Sequence, residues 1–229
     1  MSTNRGILMP MTTSTFQRAR TEEQRQLRHA AIRSTTVQML DEMRVADVTL
    51  GEIGRRVGLA KSNVLRYVGS REALLFDLLD HEWAAWLADL DARLTATPDD
   101  VDTVVEALVT SLGDHPVFCD LLAAQGVVLE HNVSPDVAAH YKRTSLDHVA
   151  HLARLLARAL PALDETVARQ LAIAASTAIS ATWTSCRPSA AMTQAYAADA
   201  DLRAMAMSFA PTLRFHLAAL VTGALAQKH

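Results

Sequence analysis

The segment that most constrains this chain is residues 48–71, which has the pattern of two short helices joined by a tight turn. Thr49 can cap the first helix, because its hydroxyl accepts from an unpaired backbone N–H, and Glu52 stands at the capping-box position. The first helix carries one apolar stripe at helical spacing, formed by Leu50, Ile53 and Val57. Gly58 follows, where a helix that ends in the left-handed conformation favours a residue without Cβ.

A second short helix is predicted to begin near Ala60. We expect Val64 and Leu65 to face inward. The outer face is polar and holds Lys61, Ser62, Asn63 and Arg66. A helix pair with a glycine-containing turn and a polar second helix is typical of the helix-turn-helix, whose second helix enters the major groove of DNA. The pattern therefore predicts a DNA-reading unit in residues 48–71.

The same stretch resembles the N-terminal DNA-binding domain of TetR-family transcriptional regulators. In that family a T-x-x-x-I-A-x-x-A-G-V-S segment is followed by an L-Y-x-H/Y-F-x-S-K segment, and the resemblance covers roughly residues 20–80. The residues that match without a gap are Thr49, Ile53, Gly58, Lys61, Tyr67, Ser70 and Arg71, the last in place of the usual Lys.

The chain departs from the family pattern at five positions. These are Gly54 and Val57 at the usual alanines, Ala60 at a small hydroxyl residue, Leu65 at a Tyr and Val68 at a Phe. Without a tyrosine at position 65, one phosphate contact typical of the family is missing from the expected set.

The remainder of the chain reads as helices, and beyond Pro98 no stretch has a strand pattern. We predict helices near 21–43, 71–94, 99–113, 116–130, 135–160, 164–186 and 211–227, and we interpret 187–210 as a loop with one possible short helix. Pro98 is expected to close the helix near 71–94. In the helix near 21–43 the residues available for burial are Leu27, Ala30, Ala31, Val37, Leu40 and Met43. The fold class is thus all-α. The resemblance implies a three-helix DNA-binding domain and a larger helical domain for ligand binding and dimerisation. The expected division is a flexible arm over 1–19, the DNA-binding domain over 20–70 and the effector-binding domain over 71–229.

Charge is distributed unevenly along the chain, which has a net charge of −3. Residues 1–75 hold 12 Lys and Arg against 7 Asp and Glu, whereas residues 76–229 hold 10 against 18. A basic end on an acidic body would orient the molecule on a polyanion and keep the body away from it. The asymmetry supports duplex DNA as a partner.

Side chains of the predicted reading unit fall into two groups by expected contact. Lys61, Ser62 and Asn63 are placed to meet bases, and Arg66 lies near the same face one turn later. Lys61 can donate to guanine, and Asn63 can pair bidentately with adenine. Thr49, Tyr67 and Arg71 are better placed for phosphate, as the resemblance also implies, and Arg55 or its neighbour Arg56 can reach the DNA backbone. A two-fold dimer would prefer a pseudo-palindromic operator with half-sites about 34–36 Å apart.

Two apolar helices are candidates for dimerisation. Along 164–186 small residues recur at helical spacing, namely Ala168, Ala172, Ala175, Ala178 and Ala181; along 211–227 the apolar face is Leu213, Leu217, Leu220, Val221, Ala224 and Leu225. We expect these helices to form a two-fold bundle in a homodimer. The alternative is that both faces pack within one monomer.

By resemblance, the helical body would bind a small effector that releases the DNA. Candidates for a mainly apolar pocket with a few polar groups are Trp86, Phe118, Gln125, Tyr141, His148 and Trp183. The operator sequence and the identity of the effector cannot be derived from these residues.

Other classes of protein are weakly supported. A hydrolase that used Cys119 or Cys186 with a histidine would be an alternative, but no nucleophile elbow, phosphate-binding loop or dinucleotide-binding glycine motif is present. An architectural DNA-binding protein without an effector is a second alternative. The histidines His140, His148 and His151 lack a metal-site motif, so we expect neither metal nor cofactor. No stretch is apolar enough to span a membrane and the two cysteines suit a reducing compartment, so we expect a cytoplasmic protein.

Overall fold

The computed structural model describes residues 13–95, 100–130 and 133–227, and in these residues the chain is helical without strands. The eleven α-helices are α1 (Thr13–Glu42), α2 (Leu50–Val57), α3 (Lys61–Val68), α4 (Arg71–Thr95), α5 (Val101–Gly113), α6 (Pro116–Ala124), α7 (Pro135–Ala159), α8 (Glu165–Ser185), α9 (Ala190–Ala198), α10 (Ala200–Arg203) and α11 (Phe209–Leu225). A 3₁₀ turn covers Val45–Asp47 and a π-helical turn covers Gln125–Leu129. The all-α prediction is confirmed.

The first three helices form a small head on the end of α4. Helix α1 packs against α2, α3 and α4, and α3 packs against α2 and the start of α4. In the body, α4 contacts α5, α6 and α7, while α8 lies between α7, α6 and α11. Trp86 lies at the centre of the body, where it is fully buried and donates a hydrogen bond to Ser111 Oγ at 3.0 Å. One continuous apolar core therefore joins the body to the head.

Helix α1 differs from its prediction in length and in the side that it buries. It begins at Thr13 rather than Thr21, so residues 13–19, expected in the flexible arm, are helical; residues 1–12 lie outside the described residues. Three residues expected in the core are exposed, namely Leu27, Ala30 and Ala31. The buried residues are Ile32, Thr36, Met39 and Leu40, of which Leu40 was predicted. Among the residues of α1 whose burial is described, the buried ones lie in its second half, so Leu27 has no core to face.

Two connections also differ from the sequence interpretation. The segment 187–210 is mainly helical, since it contains α9 and α10, and none of the residues of these two helices is buried. Helix α6 ends at Ala124, and the predicted continuation to residue 130 is a π-helical turn. Pro98, expected to close α4, lies outside the described residues.

The apolar residues proposed for dimerisation mostly face the interior of the monomer. On α8 these are Ala168, Ala172 and Ala175, and on α11 Leu213, Leu217, Val221 and Ala224. They are buried where α8 and α11 pack against each other and against α5, α6 and α7. The predicted faces are therefore wrong as exposed dimer surfaces, and the alternative of packing within one monomer holds for them.

Candidate nucleic-acid interface

The first helix of the reading unit is capped at both ends. Thr49 Oγ1 accepts the N–H of Glu52 at 3.2 Å, which confirms the predicted N-cap. At the other end Gly58 has φ 68° and ψ 33°, in the left-handed region that favours glycine, and its N–H donates to Gly54 O. The Glu52 carboxylate binds Arg55 and Arg56, a use that the capping-box interpretation did not include.

The turn between α2 and α3 explains one departure from the family pattern. The N–H of Leu59 donates to Gly54 O at 2.8 Å, which folds the turn back onto α2. A Cβ on Gly54 would lie 2.5 Å from the backbone oxygen of Leu59. Because a backbone atom cannot rotate out of the way, the turn of this chain requires glycine where alanine is usual.

Helix α3 turns an apolar side to the head and a polar side to solvent. Val64 and Val68 are buried. Lys61, Ser62 and Arg66 are exposed, and Asn63 is half-buried. Leu65, expected to face inward, is instead 44% exposed. The cationic side of α3 thus faces away from the protein, as a groove-reading helix requires.

A groove of about 740 Å³ runs between α1 and α3, beside the polar side of the reading helix. Its cationic lining comes from Arg25 and Arg28 of α1 and Arg66 of α3. The Tyr67 ring also lines the groove, with the Arg66 guanidinium 5.9 Å from the ring centre. Arg25 and Arg28 were absent from the predicted site. The signal was their three-residue spacing, which places both on one side of α1.

The two arginines of α2 differ in their exposure and in the carboxylates that they bind. Arg56 donates to both Glu42 and Glu52, and its side chain is 23% exposed. Arg55 donates only to Glu52 in the contacts described, and its side chain is 71% exposed. The hydrogen bonds from Arg55 and Arg56 lower the Glu52 pKa to about 2. Arg55 is therefore the better placed of the two to approach a phosphate.

Arg71 has a different environment from the one predicted. Its Nε donates to Val48 O and its Nη2 to Val45 O, both at 2.5 Å, and Nη1 lies 3.2 Å from Glu72. The side chain is 19% exposed. These carbonyls belong to the 3₁₀ turn and the residue that follows it, so the guanidinium ties the start of α4 to the backbone in front of α2. This geometry speaks against the phosphate contact predicted for Arg71, which stays a prediction.

One carboxylate joins the head to the body. Asp120 of α6 accepts the N–H of Val45 at 3.2 Å through Oδ2 and the indole N–H of Trp183 at 3.1 Å through Oδ1. Arg44 reinforces this junction by donating to the carbonyls of Arg187 and Pro188. The 3₁₀ turn is thus held by α6 on one side and by Arg71 on the other.

The residues predicted for the effector pocket do not come together as one site. Trp86 and Phe118 are fully buried and stack with ring centres 5.0 Å apart. His148 bonds to Asp80 at 2.8 Å and stacks on Trp83, while Trp183 bonds to Asp120. Gln125 and Tyr141 line one cavity together. The other four predicted residues serve in core packing and polar links.

That cavity, termed here the serine-lined pocket, has a volume of about 300 Å³ and lies between α4, α6, the π-helical turn, α7 and α8. Its hydroxyl-bearing residues are Tyr141, Ser145, Ser176, Thr177 and Ser180. Its apolar lining comes from Trp83, Leu122, Val149 and Ile173. Sequence reasoning missed the α8 serines, because it considered this helix mainly as a dimerisation helix and named its alanines instead.

Cysteine and histidine chemistry receives no support from the site geometry. Burial raises the pKa of the Cys119 thiol to about 12, so this residue stays a protonated thiol at neutral pH and lacks the thiolate that a nucleophile needs. In the described ranges, no cluster of three or more His, Cys, Asp or Glu residues is arranged to hold a metal ion. None of the helices described is long and apolar enough to cross a membrane.

Comparison with protein families gives a match over residues 80–228 to the "Tetracyclin repressor-like, C-terminal domain". The chain belongs to the TetR family of transcriptional regulators. No curated protein matches this TetR-family chain. Among solved structures, the crystal structure of "putative regulatory protein SCO4313" has 16% sequence identity and a TM-score of 0.52. That similarity covers 87% of this chain and 97% of the other, and it supports the shared fold.

Proposed function

We propose that this TetR-family protein is a repressor that binds a pseudo-palindromic DNA operator as a homodimer and leaves it when a small effector binds. The observation that carries the proposal is the orientation of α3, whose Lys61 and Arg66 face solvent while Val64 and Val68 pack inward. The arginine-lined groove beside α3 adds positive charge where phosphates would pass. We also propose a cytoplasmic location, because the proposed partner is DNA.

The proposed DNA contacts divide between bases and phosphates. Lys61, Ser62 and Asn63 occupy the first turn of α3 and are assigned to base edges. The residues assigned to phosphate are Thr49, Arg55, Arg66 and Tyr67, joined by Arg25 and Arg28 from α1. Arg71 is left out because its guanidinium binds backbone carbonyls.

The proposed dimer uses the outer sides of α8 and α11 rather than the buried ones. From Gln170 to Ser185 the chain has no charged residue, and from Phe215 to Ala226 it has no Asp, Glu, Lys or Arg. Ile173 and Phe215 stand on these outer sides and are 53% and 73% exposed. An uncharged surface with exposed large apolar side chains is better covered by protein than by water. A second copy would also supply the second reading helix.

The proposed response to an effector passes through α6. The π-helical turn that lines the serine-lined pocket continues directly from α6, and α6 carries Asp120, which holds Val45 of the head. A ligand that favours one position of α6 would therefore also favour one position of the head, provided that it binds the two states with different affinity.

DNA titration tests the proposal. Duplex fragments from the region upstream of the coding sequence would be titrated with the protein at several salt concentrations. We expect selective, salt-dependent binding to one fragment. Lys61→Ala or Asn63→Ala should weaken binding to that fragment by about 1–3 kcal/mol and should weaken binding to unrelated DNA far less. Uniform weak binding that no ligand alters would favour an architectural DNA-binding protein, and an absence of binding would reject both.

Coupling is tested separately with Asp120→Ala. We expect this variant to bind the operator but to lose most of its response to an effector, because the link from α6 to Val45 is cut. A response that stays within about twofold of the unaltered protein would reject the α6 route, since allosteric couplings are typically about 5–150-fold.

A further inference from the structure

The serine-lined pocket is electrically neutral. Among the described residues that line it, none is Asp, Glu, Lys, Arg or His. Burial raises the pKa of the Tyr141 phenol to about 12, so this group is uncharged at neutral pH. Transfer of an unpaired charge into such a site is costly. An ion entering this pocket would find no opposite charge among the residues that line it. The Glu130 carboxylate, which accepts from the Gln125 amide, is already paired with Lys142.

The hydroxyl groups on the α8 wall are set to accept hydrogen bonds. Ser176 Oγ donates its proton to the carbonyl of Ala172 at 2.8 Å, and Thr177 Oγ1 donates to Ile173 O at 3.1 Å. A hydroxyl has one proton and two lone pairs. Because these protons are used within the helix, the oxygen lone pairs remain for a ligand that donates.

The rest of the lining is apolar and includes an irregular backbone. Trp83, Leu122 and Val149 provide contact area, and the π-helical turn contributes Gln125 and Gly126. Single π-helical turns are frequent at functional sites. The volume of about 300 Å³ falls at the lower end of the range for ligand pockets.

A second cavity, the acidic pocket, lies on the other side of Tyr141 and has the opposite character. It has a volume of about 310 Å³, and its carboxylates are those of Asp77, Asp80 and Asp136. Two of these already have cationic or polar partners, since Asp77 pairs with Arg33 and Asp80 with His148. Tyr141 thus lies between a neutral cavity and an acidic one, in which two of the three carboxylates are paired with other side chains of the protein.

We propose that the serine-lined pocket takes an uncharged, mainly apolar ligand that carries a hydroxyl or amide N–H donor, and that it discriminates against organic cations and anions. This inference rests on the proposed effector response. It deepens that proposal by naming the chemical class of the ligand and the side chains, Ser176 and Thr177, that select it.

Four probes on one carbon skeleton test the ligand class: phenylpropanol, its methyl ether, phenylpropylammonium and phenylpropanoate. Binding to the full-length protein would be measured by calorimetry at neutral pH without DNA. We expect the alcohol to bind at least about tenfold more tightly than either ion and about two- to tenfold more tightly than the ether.

Substitutions on α8 test whether the alcohol binds in the serine-lined pocket. The double variant Ser176→Ala with Thr177→Val should weaken binding of the alcohol by about three- to tenfold. Thr184→Val is the matched control, because Thr184 lies on the same helix and makes the same kind of bond, to Ser180 O at 3.0 Å, but does not line the pocket. Ser176→Asp should reverse the preference, so that the ammonium binds more tightly than the alcohol.

Each result decides for or against the inference. Equal or tighter binding of either ion, no binding of the alcohol at millimolar concentration, or loss of binding in Asp77→Asn but not in the serine variants would overturn it. The DNA titration distinguishes the two proposals: alcohol binding by a protein that ignores DNA would leave the ligand class in place and reject the repressor.

Discussion

The outer sides of α3 and α8 are both exposed, yet they are suited to different partners. Helix α3 presents Lys61 and Arg66 beside a groove lined by further arginines. Helix α8 presents Ile173 and Ala181 within a stretch that has no charged residue. A cationic surface attracts a polyanion at long range, whereas an uncharged one gains stability only from close contact. The comparison shows how one chain can keep the surfaces proposed for DNA binding and for self-association separate.

The largest effect is expected from a charge placed on the proposed dimer side. Phe215→Glu should prevent dimerisation and weaken operator binding by at least about 100-fold, because a buried unpaired carboxylate is costly and a monomer has only one reading helix. Light scattering and DNA titration would measure both. Leu146→Glu is the matched control, since Leu146 is similarly exposed on α7. If the Phe215→Glu protein stayed dimeric, α11 would not belong to the interface.

The next largest effect distinguishes Arg71 from Arg66, two arginines of the head with the same charge. Arg71→Ala should lower the free energy of unfolding by about 2–4 kcal/mol, because it removes charge-assisted bonds to the carbonyls of Val45 and Val48. Arg66→Ala should change stability by less than about 0.5 kcal/mol but reduce the salt slope of DNA binding by about 1. Denaturant unfolding and salt titration would compare them. The reverse pattern would return Arg71 to the DNA surface.

A smaller effect is expected at the turn that orients α3. Gly54→Ala should cost about 1–3 kcal/mol, because its Cβ would overlap the backbone oxygen of Leu59. Gly51→Ala, on the same helix, should stabilise by up to about 1 kcal/mol, since its Cβ has only Thr49 Oγ1 nearby, at 3.9 Å. Thermal unfolding of both variants is the measurement. Equal stability of the two proteins would mean that the turn relaxes without cost.

The smallest effect concerns the ion pairs of α2. Arg55 and Arg56 lower the Glu52 pKa to about 2 from an ordinary 4.5, so the bonded carboxylate stabilises the fold above about pH 4.5. That contribution should be lost as the pH falls from 4.5 towards 2. The difference in unfolding free energy between the unaltered protein and Glu52→Gln should narrow over this window. A constant difference would show that Glu52 is no more ionised in the folded state than in the unfolded chain.

The sequence anticipated features that depend on neighbours along the chain. The N-cap at Thr49, the left-handed Gly58 and the start of α7 at Pro135 all follow from residues within one helical turn. Assignments that depend on distant residues fared less well. Arg71 matched a family position, but its side chain meets carbonyls 23 and 26 residues away in the chain. A sequence pattern does not record such contacts.

For the same reason, the sequence pattern did not show which sides of the helices are exposed. The sequence by itself determined that the chain is helical, that it has a helix-turn-helix and that α8 and α11 are apolar, because helical periodicity and capping are local. Tertiary packing alone decided which side of each apolar helix is exposed, because burial depends on where the other helices lie. For that reason Ala168 and Leu217 became core, Phe215 remained at the surface, and the α8 serines, together with Tyr141, came to line a pocket.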